Sequence, residues 1–148
     1  MKRILFFSSA VLILAQACSQ NKVPENVIAA FNNKFAKATH IRWDRENQKE
    51  WEAEFKMDGR TYSANFSNQG KWMETEYHVD LTELPDSVKS ALGTFKNYKV
   101  KASEVSEKNT SKNYEFILKN SEEKLEVVID VSGKILEKKK AGKDSDQD

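Results

Sequence analysis

The chain has 148 residues and a formal charge of +1, from 24 Lys and Arg against 23 Asp and Glu. That length allows one domain, or two very small ones sharing a core. One cysteine and two histidines exclude a disulfide framework and a Cys/His zinc site of the usual spacing. The charge balance gives no general attraction to nucleic acid, and 39% hydrophobic with 32% charged residues describes a folded chain rather than a membrane-embedded one.

Residues 1–17 read as a signal peptide. Lys2 and Arg3 precede an apolar run, Ile4 to Ala15, interrupted only by Ser8 and Ser9. As a helix this run spans roughly 18 Å, short of a bilayer core of about 30 Å. Ala15-Gln16-Ala17-Cys18 fits two processing routes. Ordinary cleavage follows Ala-x-Ala, whereas a lipobox places small residues before a cysteine that is lipidated. Lipidation removes the oxidation liability of a lone exposed thiol, so Cys18 is the expected anchor; Ala15 stands where Leu is commoner. Losing Lys2 and Arg3 with the leader turns the charge to −1. Residues 18–22 then form the lipidated cysteine and a tether, Ser19-Gln20-Asn21 lacking the acidic cluster that promotes surface export. A membrane-anchored lipoprotein facing the periplasm is expected.

The body of the chain, residues 23–140, begins with an apolar stripe at helical spacing: Val27, Ile28, Phe31, Phe35 and Ala38, with Pro24 in the first turn. Ile41 and Trp43 mark a first strand. Trp51, Ala53, Phe55 and Met57 then alternate with Glu52, Glu54 and Lys56, the period of a half-buried strand. Asp58-Gly59 supplies a type I′ hairpin turn, and Tyr62, Ala64 and Phe66 return inward. Asn68-Gln69-Gly70 leads into a strand from Lys71 to Val79, phased with Met73, Thr75, Tyr77 and Val79 inward and Trp72 outward.

The pattern then starts again. Pro85, Val88, Ala91, Leu92 and Phe95 form a second helix, followed by strands over Val100 to Val105, Tyr114 to Lys119, Lys124 to Val131 and Lys134 to Lys139. Val23-Pro24, Val27 and Phe31 match Leu84-Pro85, Val88 and Leu92 at an offset of 61. Trp51, Ala53 and Phe55 match Tyr114, Phe116 and Leu118 at 63, as Gly70-Lys71-Trp72-Met73-Glu74 matches Gly133-Lys134-Ile135-Leu136-Glu137. The drift places a small insertion near Tyr98 to Ser106. Two copies of a unit of about 60 residues, 23–80 and 81–140, are expected. The fold class is α+β: helix plus four antiparallel strands, twice, in one continuous sheet with helices on one face. Residues 141–148 are expected to be a disordered tail.

Val23-Pro24 with Val27, Phe31 and Phe35, then Ile41-Arg42-Trp43, Tyr62-Ser63-Ala64-Asn65-Phe66 and Gly70-Lys71-Trp72, resemble the PepSY-like family of small secreted bacterial proteins. The resemblance implies the fold of β-lactamase inhibitory protein and a non-catalytic module that binds or inhibits another extracytoplasmic protein. It carries over no contact residues. An Asp-x-x-Gly turn stands at Asp130-Val131-Ser132-Gly133, whereas the first half has Ser67-Asn68-Gln69-Gly70.

His40 and His78 read as surface residues, and no nucleophile, phosphate-loop or dinucleotide motif accompanies them. Glu74, Glu76 and Asp80, like Glu52 and Glu54, read as solvated carboxylates on the water-facing side. No cofactor and no metal site is expected; the calcium-loop spacing is absent. An outward Trp72, with Ile117 and Val128 on the same open side, is the expected contact patch, bordered by Glu52 and Glu54. The expected function is binding of a protein or peptide in the cell envelope through the open sheet face or an edge strand. The alternatives are an envelope-maintenance protein without a defined ligand and, third, an enzyme. Contact with the membrane is through the lipid only, and no nucleic-acid partner is expected.

Overall fold

The computed structural model describes residues 22–141; the expected signal peptide, Cys18, most of the tether and the tail from 142 onward lie outside the described residues. Helix α1 (Glu25–Lys34) precedes strands β1 (Thr39–Asn47), β2 (Glu50–Met57), β3 (Arg60–Ser67) and β4 (Trp72–His78). A 3-10 turn at Leu81–Glu83 leads to α2 (Asp86–Leu92), followed by β5 (Lys99–Lys108), β6 (Ser111–Lys119), β7 (Lys124–Asp130) and β8 (Ile135–Lys140). All eight strands form one antiparallel sheet in sequence order.

Directly paired residues of an antiparallel ladder share a face. Phe55, Tyr62, Tyr77, Val105, Tyr114 and Ile129 therefore form one row across β2 to β7 on one side. Val27 and Phe31 of α1 bury against Trp51, Phe55, Ala64 and Phe66. Leu84 and Val88, at the start of α2, bury against Phe116, Leu118, Val127 and Ile129 of that same side. Both helices thus cover one face, and the interior is divided into two clusters beneath them. In the first cluster Phe31 is the hub, its ring 5.0–6.0 Å from those of Phe35, Trp43, Phe55 and Phe66.

Local chemistry sets the joints. Pro24 and Pro85 sit at the N-caps in extended conformation rather than inside the first turn; each accepts the first helical bonds through its carbonyl, which needs no N–H. The stripes outrun the helices: α1 stops at Lys34 with Phe35 still buried, and α2 stops before Gly93 with Phe95 packed beyond its end. Asp58 and Gly59 both adopt positive φ, as the two-residue turn requires. Gly70 and Gly133, also at positive φ, lie so close to the helices that an added Cβ would stand 2.7 Å from Asn26 O and 2.5 Å from Ser87 O. The turns before β4 and β8 share one bonding scheme. Ser67 Oγ accepts from the N–H groups of Gln69 and Lys71, and Asp130 Oδ1 accepts from those of Ser132 and Lys134. The serine thus replaces the aspartate without changing the turn.

Register shifts interrupt the ladders of β1–β2, β3–β4, β5–β6 and β7–β8; those in β3–β4 and β7–β8 fall in the last strand pairing of each half. Asn65 pairs with Glu74 but Phe66 with Trp72, so Met73 is the extra residue; Val128 pairs with Glu137 but Ile129 with Ile135, so Leu136 is extra. An extra residue reverses the side-chain phase beyond it. This corrects the expected placement of Trp72. Thr75, Tyr77 and Val79 point inward as expected, but past the bulge it is Trp72 that faces the helices.

Candidate functional site

Opposite the helices, the sheet presents a row of polar residues across seven strands: Arg42, Glu54, Ser63, Glu76, Ser106, Asn113 and Asp130. Neighbouring rows add Glu52, Asn65 and Glu74 on one side and Glu104, Glu115 and Val128 on the other. Carboxylates dominate this face. Some are paired: Arg42 lies 2.7 Å from Glu54, Lys108 lies 2.7 Å from Glu74, and Lys139 bridges Glu126 and Glu137 at 2.9 and 3.2 Å. Ser63 donates to Glu52, and Ser106 donates to Glu74.

The centre of the face is not the solvated surface that alternation alone predicts. Glu115 is 5% exposed. Oxygens of Glu74, Glu76 and Glu115 lie within 4.8 Å of one another, although β5 separates their strands. Ser106, the small β5 residue paired with Glu76, leaves room for the longer side chains to converge above it. Burial, with the nearby Glu74, Glu115 and Glu104 charges, pushes the Glu76 carboxyl up to about 8, while Lys108 opposes the rise. Burial likewise pushes Glu115 up to about 7, helped by Glu74 and opposed by Lys108. Burial raises Glu104 too, against the opposing effect of His78. The cluster resists holding all its negative charge even with Lys108 beside it.

Ile117 and Val128 stand on the open side, as the alternation predicts, but they are only 5% and 7% exposed. Glu126 pairs with Ile117 and Glu137 with Val128, and the Lys139 bridge ties these two glutamates together beside them. They stabilise the sheet and offer little contact area. Glu52 and Glu54 are half-buried on the predicted side. Trp72 is elsewhere: its indole N–H donates to Thr75 Oγ1, and Lys34 Nζ sits 3.6 Å from its ring centroid. It lines a groove of about 370 Å³ on the helix side with Tyr62, Tyr77, Thr75 and Arg60. His40 and His78 are exposed on different strands, β1 and β4, His40 beside Thr39 and His78 beside Asp80. The structure therefore brings Glu52 and Glu54 to one face, removes Trp72 from it and adds Glu115 to Glu74 and Glu76.

An eight-stranded antiparallel sheet carrying two helices on one face and an open acidic face on the other defines an α+β platform. The sequence profile of the family described as "Putative beta-lactamase-inhibitor-like, PepSY-like" matches residues 13–61 and 49–137. The chain belongs to this PepSY-like family. Among solved structures it is similar to a BLIP-like protein from Bacteroides fragilis NCTC 9343, at 20% identity over 86% of this chain and 94% of that one, TM-score 0.77. A DUF2874 family protein from Bacteroides ovatus ATCC 8483 has 21% identity over 85% and 93% of the two chains, TM-score 0.77. A structure described as "putative periplasmic proteins" from Bacteroides eggerthii DSM 20697 has 17% identity over 81% and 90%, TM-score 0.74. These likenesses establish the fold. No curated protein matches the chain. No helix among the described residues is long and apolar enough to cross a membrane.

Proposed function

We propose that the protein is a non-catalytic, periplasm-facing lipoprotein that docks a protein or peptide through the open face of its sheet. The observation carrying this reading is the face itself: both helices lie on one side, and the other presents fixed carboxylates on rigid strands. Rigid strand-borne groups lose little entropy on binding. The half-buried carboxylates Glu52 and Glu54 on β2 are the proposed docking strip and suit a partner presenting cationic side chains. The likeness to a BLIP-like protein supports a binding role. So does the location suggested by a relative described as periplasmic.

Duplication explains the platform. Residues 23–80 and 81–140 are read as copies of one unit, and several matched details support this. Pro24 and Pro85 share the N-cap position, Gly70 and Gly133 share the close approach to a helix, and the bulges at Met73 and Leu136 fall at matched positions.

Photo-cross-linking from position 56, an exposed β2 position on the same face as Glu52 and Glu54, tests the docking in intact cells. A single saturable partner, lost on Glu52→Lys with Glu54→Lys, is expected; capture unchanged by this double substitution refutes it. The anchor is tested separately. Cys18→Ser should release the protein from membranes in detergent-free fractionation, and unchanged membrane association refutes lipidation at Cys18.

A further inference from the structure

We propose that the groove on the helix side, at the junction of the two halves, binds a small aromatic carboxylate: a planar apolar body carrying one negative charge. The helices leave this strip of the sheet partly uncovered. In the row Phe55, Tyr62, Tyr77 and Val105, the outer two side chains are buried, whereas Tyr62 and Tyr77 are only half-buried. Tyr62 packs against the first hydrophobic cluster and Tyr77 against the second. The space of about 370 Å³ lies within the range of small-molecule sites.

Charge fixes one end of the ligand. Arg60 is ion-paired with Glu83, and Lys112 lies 2.8 Å from Glu107. Lys34, at the end of α1, forms no ion pair among the described residues. Its Nζ sits 3.6 Å from the Trp72 ring centroid, and both residues line the groove. Three cations against two carboxylates leave one positive charge, which a monoanion matches. An ammonium held on an aromatic face keeps N–H donors for a carboxylate, and such charge-assisted bonds are the strong ones.

The other polar groups select the body. Tyr77 donates its hydroxyl to Glu107 and accepts from Lys112, each at 3.1 Å. Thr75 Oγ1 accepts from the Trp72 indole at 2.9 Å. A sugar acid of the same charge brings several hydroxyls to groups already engaged, and each one buried without a partner costs affinity. An aromatic ring brings none. It meets the Tyr62 and Tyr77 rings, 5.2 Å apart and tilted by 51°, where further ring contacts are favourable. Phe35 and Met57 complete the apolar lining, and the unbranched Met57 side chain adapts to the outline of the ligand.

The groove lies on the opposite side of the sheet from Glu52 and Glu54, so this inference does not depend on docking there. The full chain is titrated with naphthylacetate, naphthylacetamide, glucuronate or the peptide acetyl-Gly-Gly-Phe. Binding is followed by NMR at the Trp72 indole N–H, a signal assigned with Trp72→Phe. One saturable site for naphthylacetate is expected, with a shift of the Trp72 signal and a dissociation constant on the order of 0.1–1 mM for a ligand of that size. The amide should bind at least about fivefold more weakly. Lys34→Met removes the charge and keeps an unbranched stem beside Trp72. It should weaken the acid by a similar factor and leave the amide unchanged. The proposal is overturned by no saturable binding of the acid, by binding that leaves the Trp72 signal in place, or by equal affinity for acid and amide. Unchanged affinity for the acid in Lys34→Met overturns it too. Tighter binding of glucuronate reassigns the groove to sugar acids, and binding of the peptide alone reassigns it to peptide C-termini; either result overturns the proposal.

Discussion

Glu76→Gln separates the electrostatic cost of the open face from its packing. The carboxyl titrates near 8 in the fold rather than at 4.5, because it is buried among other carboxylates. A group whose folded pKa is raised binds its proton more tightly when folded. Its stabilising contribution is full below about pH 4.5 and is lost as pH rises towards 8. At about 1.4 kcal/mol per pH unit this displacement corresponds to roughly 3–5 kcal/mol, shared among groups that titrate together. Glutamine keeps the shape and removes the ionisation. Urea unfolding at pH 5, 7 and 9, with chelator present, should show the unmodified protein losing stability across that range. The variant should change less and be more stable at pH 9 by roughly 2–4 kcal/mol. The remaining slope includes Glu115, whose carboxyl is raised to about 7, and Glu104, raised by burial. Parallel stability curves for the two proteins would falsify the burial and repulsion assigned to Glu76.

Gly133→Ala should destabilise the fold by roughly 2–4 kcal/mol in urea melts, through its φ of +87° and the close approach to Ser87 O; a loss below about 0.5 kcal/mol refutes the tight helix–turn contact. Phe31→Ala should cost roughly 3–5 kcal/mol, because Phe31 is 1% exposed and meets four other aromatic rings. A value near that of a surface substitution would mean that the first cluster closes around the gap.

Much of the fold is legible in the order of residues. The alternation of Trp51, Ala53 and Phe55 with Glu52 and Glu54 fixes the faces of β2, and Asp58-Gly59 fixes its turn, because both depend only on near neighbours. Trp72 is misread for a physical reason: the bulge at Met73 becomes visible only when β3 pairs with β4. The burial of Ile117 and Val128 has a similar cause, since it depends on Glu126, Glu137 and Lys139 arriving from β7 and β8. The convergence of Glu115 with Glu74 and Glu76 is the least legible feature, as the residues come from strands with another between them. The small Ser106 is the one sequence signal, and it gains meaning only from the register.

The two hydrophobic clusters are joined by a short seam. Strands β4 and β5 pair only over Thr75–His78 and Glu104–Glu107, fewer pairings than at any neighbouring strand junction. The fewest ladder bonds therefore resist a twist between the halves there, as along the crease of a folded card. Glu74 and Glu76 belong to the strand on one side of that crease and Glu115 to a strand beyond the other, so any flexing of the sheet changes the spacing of the charges it carries.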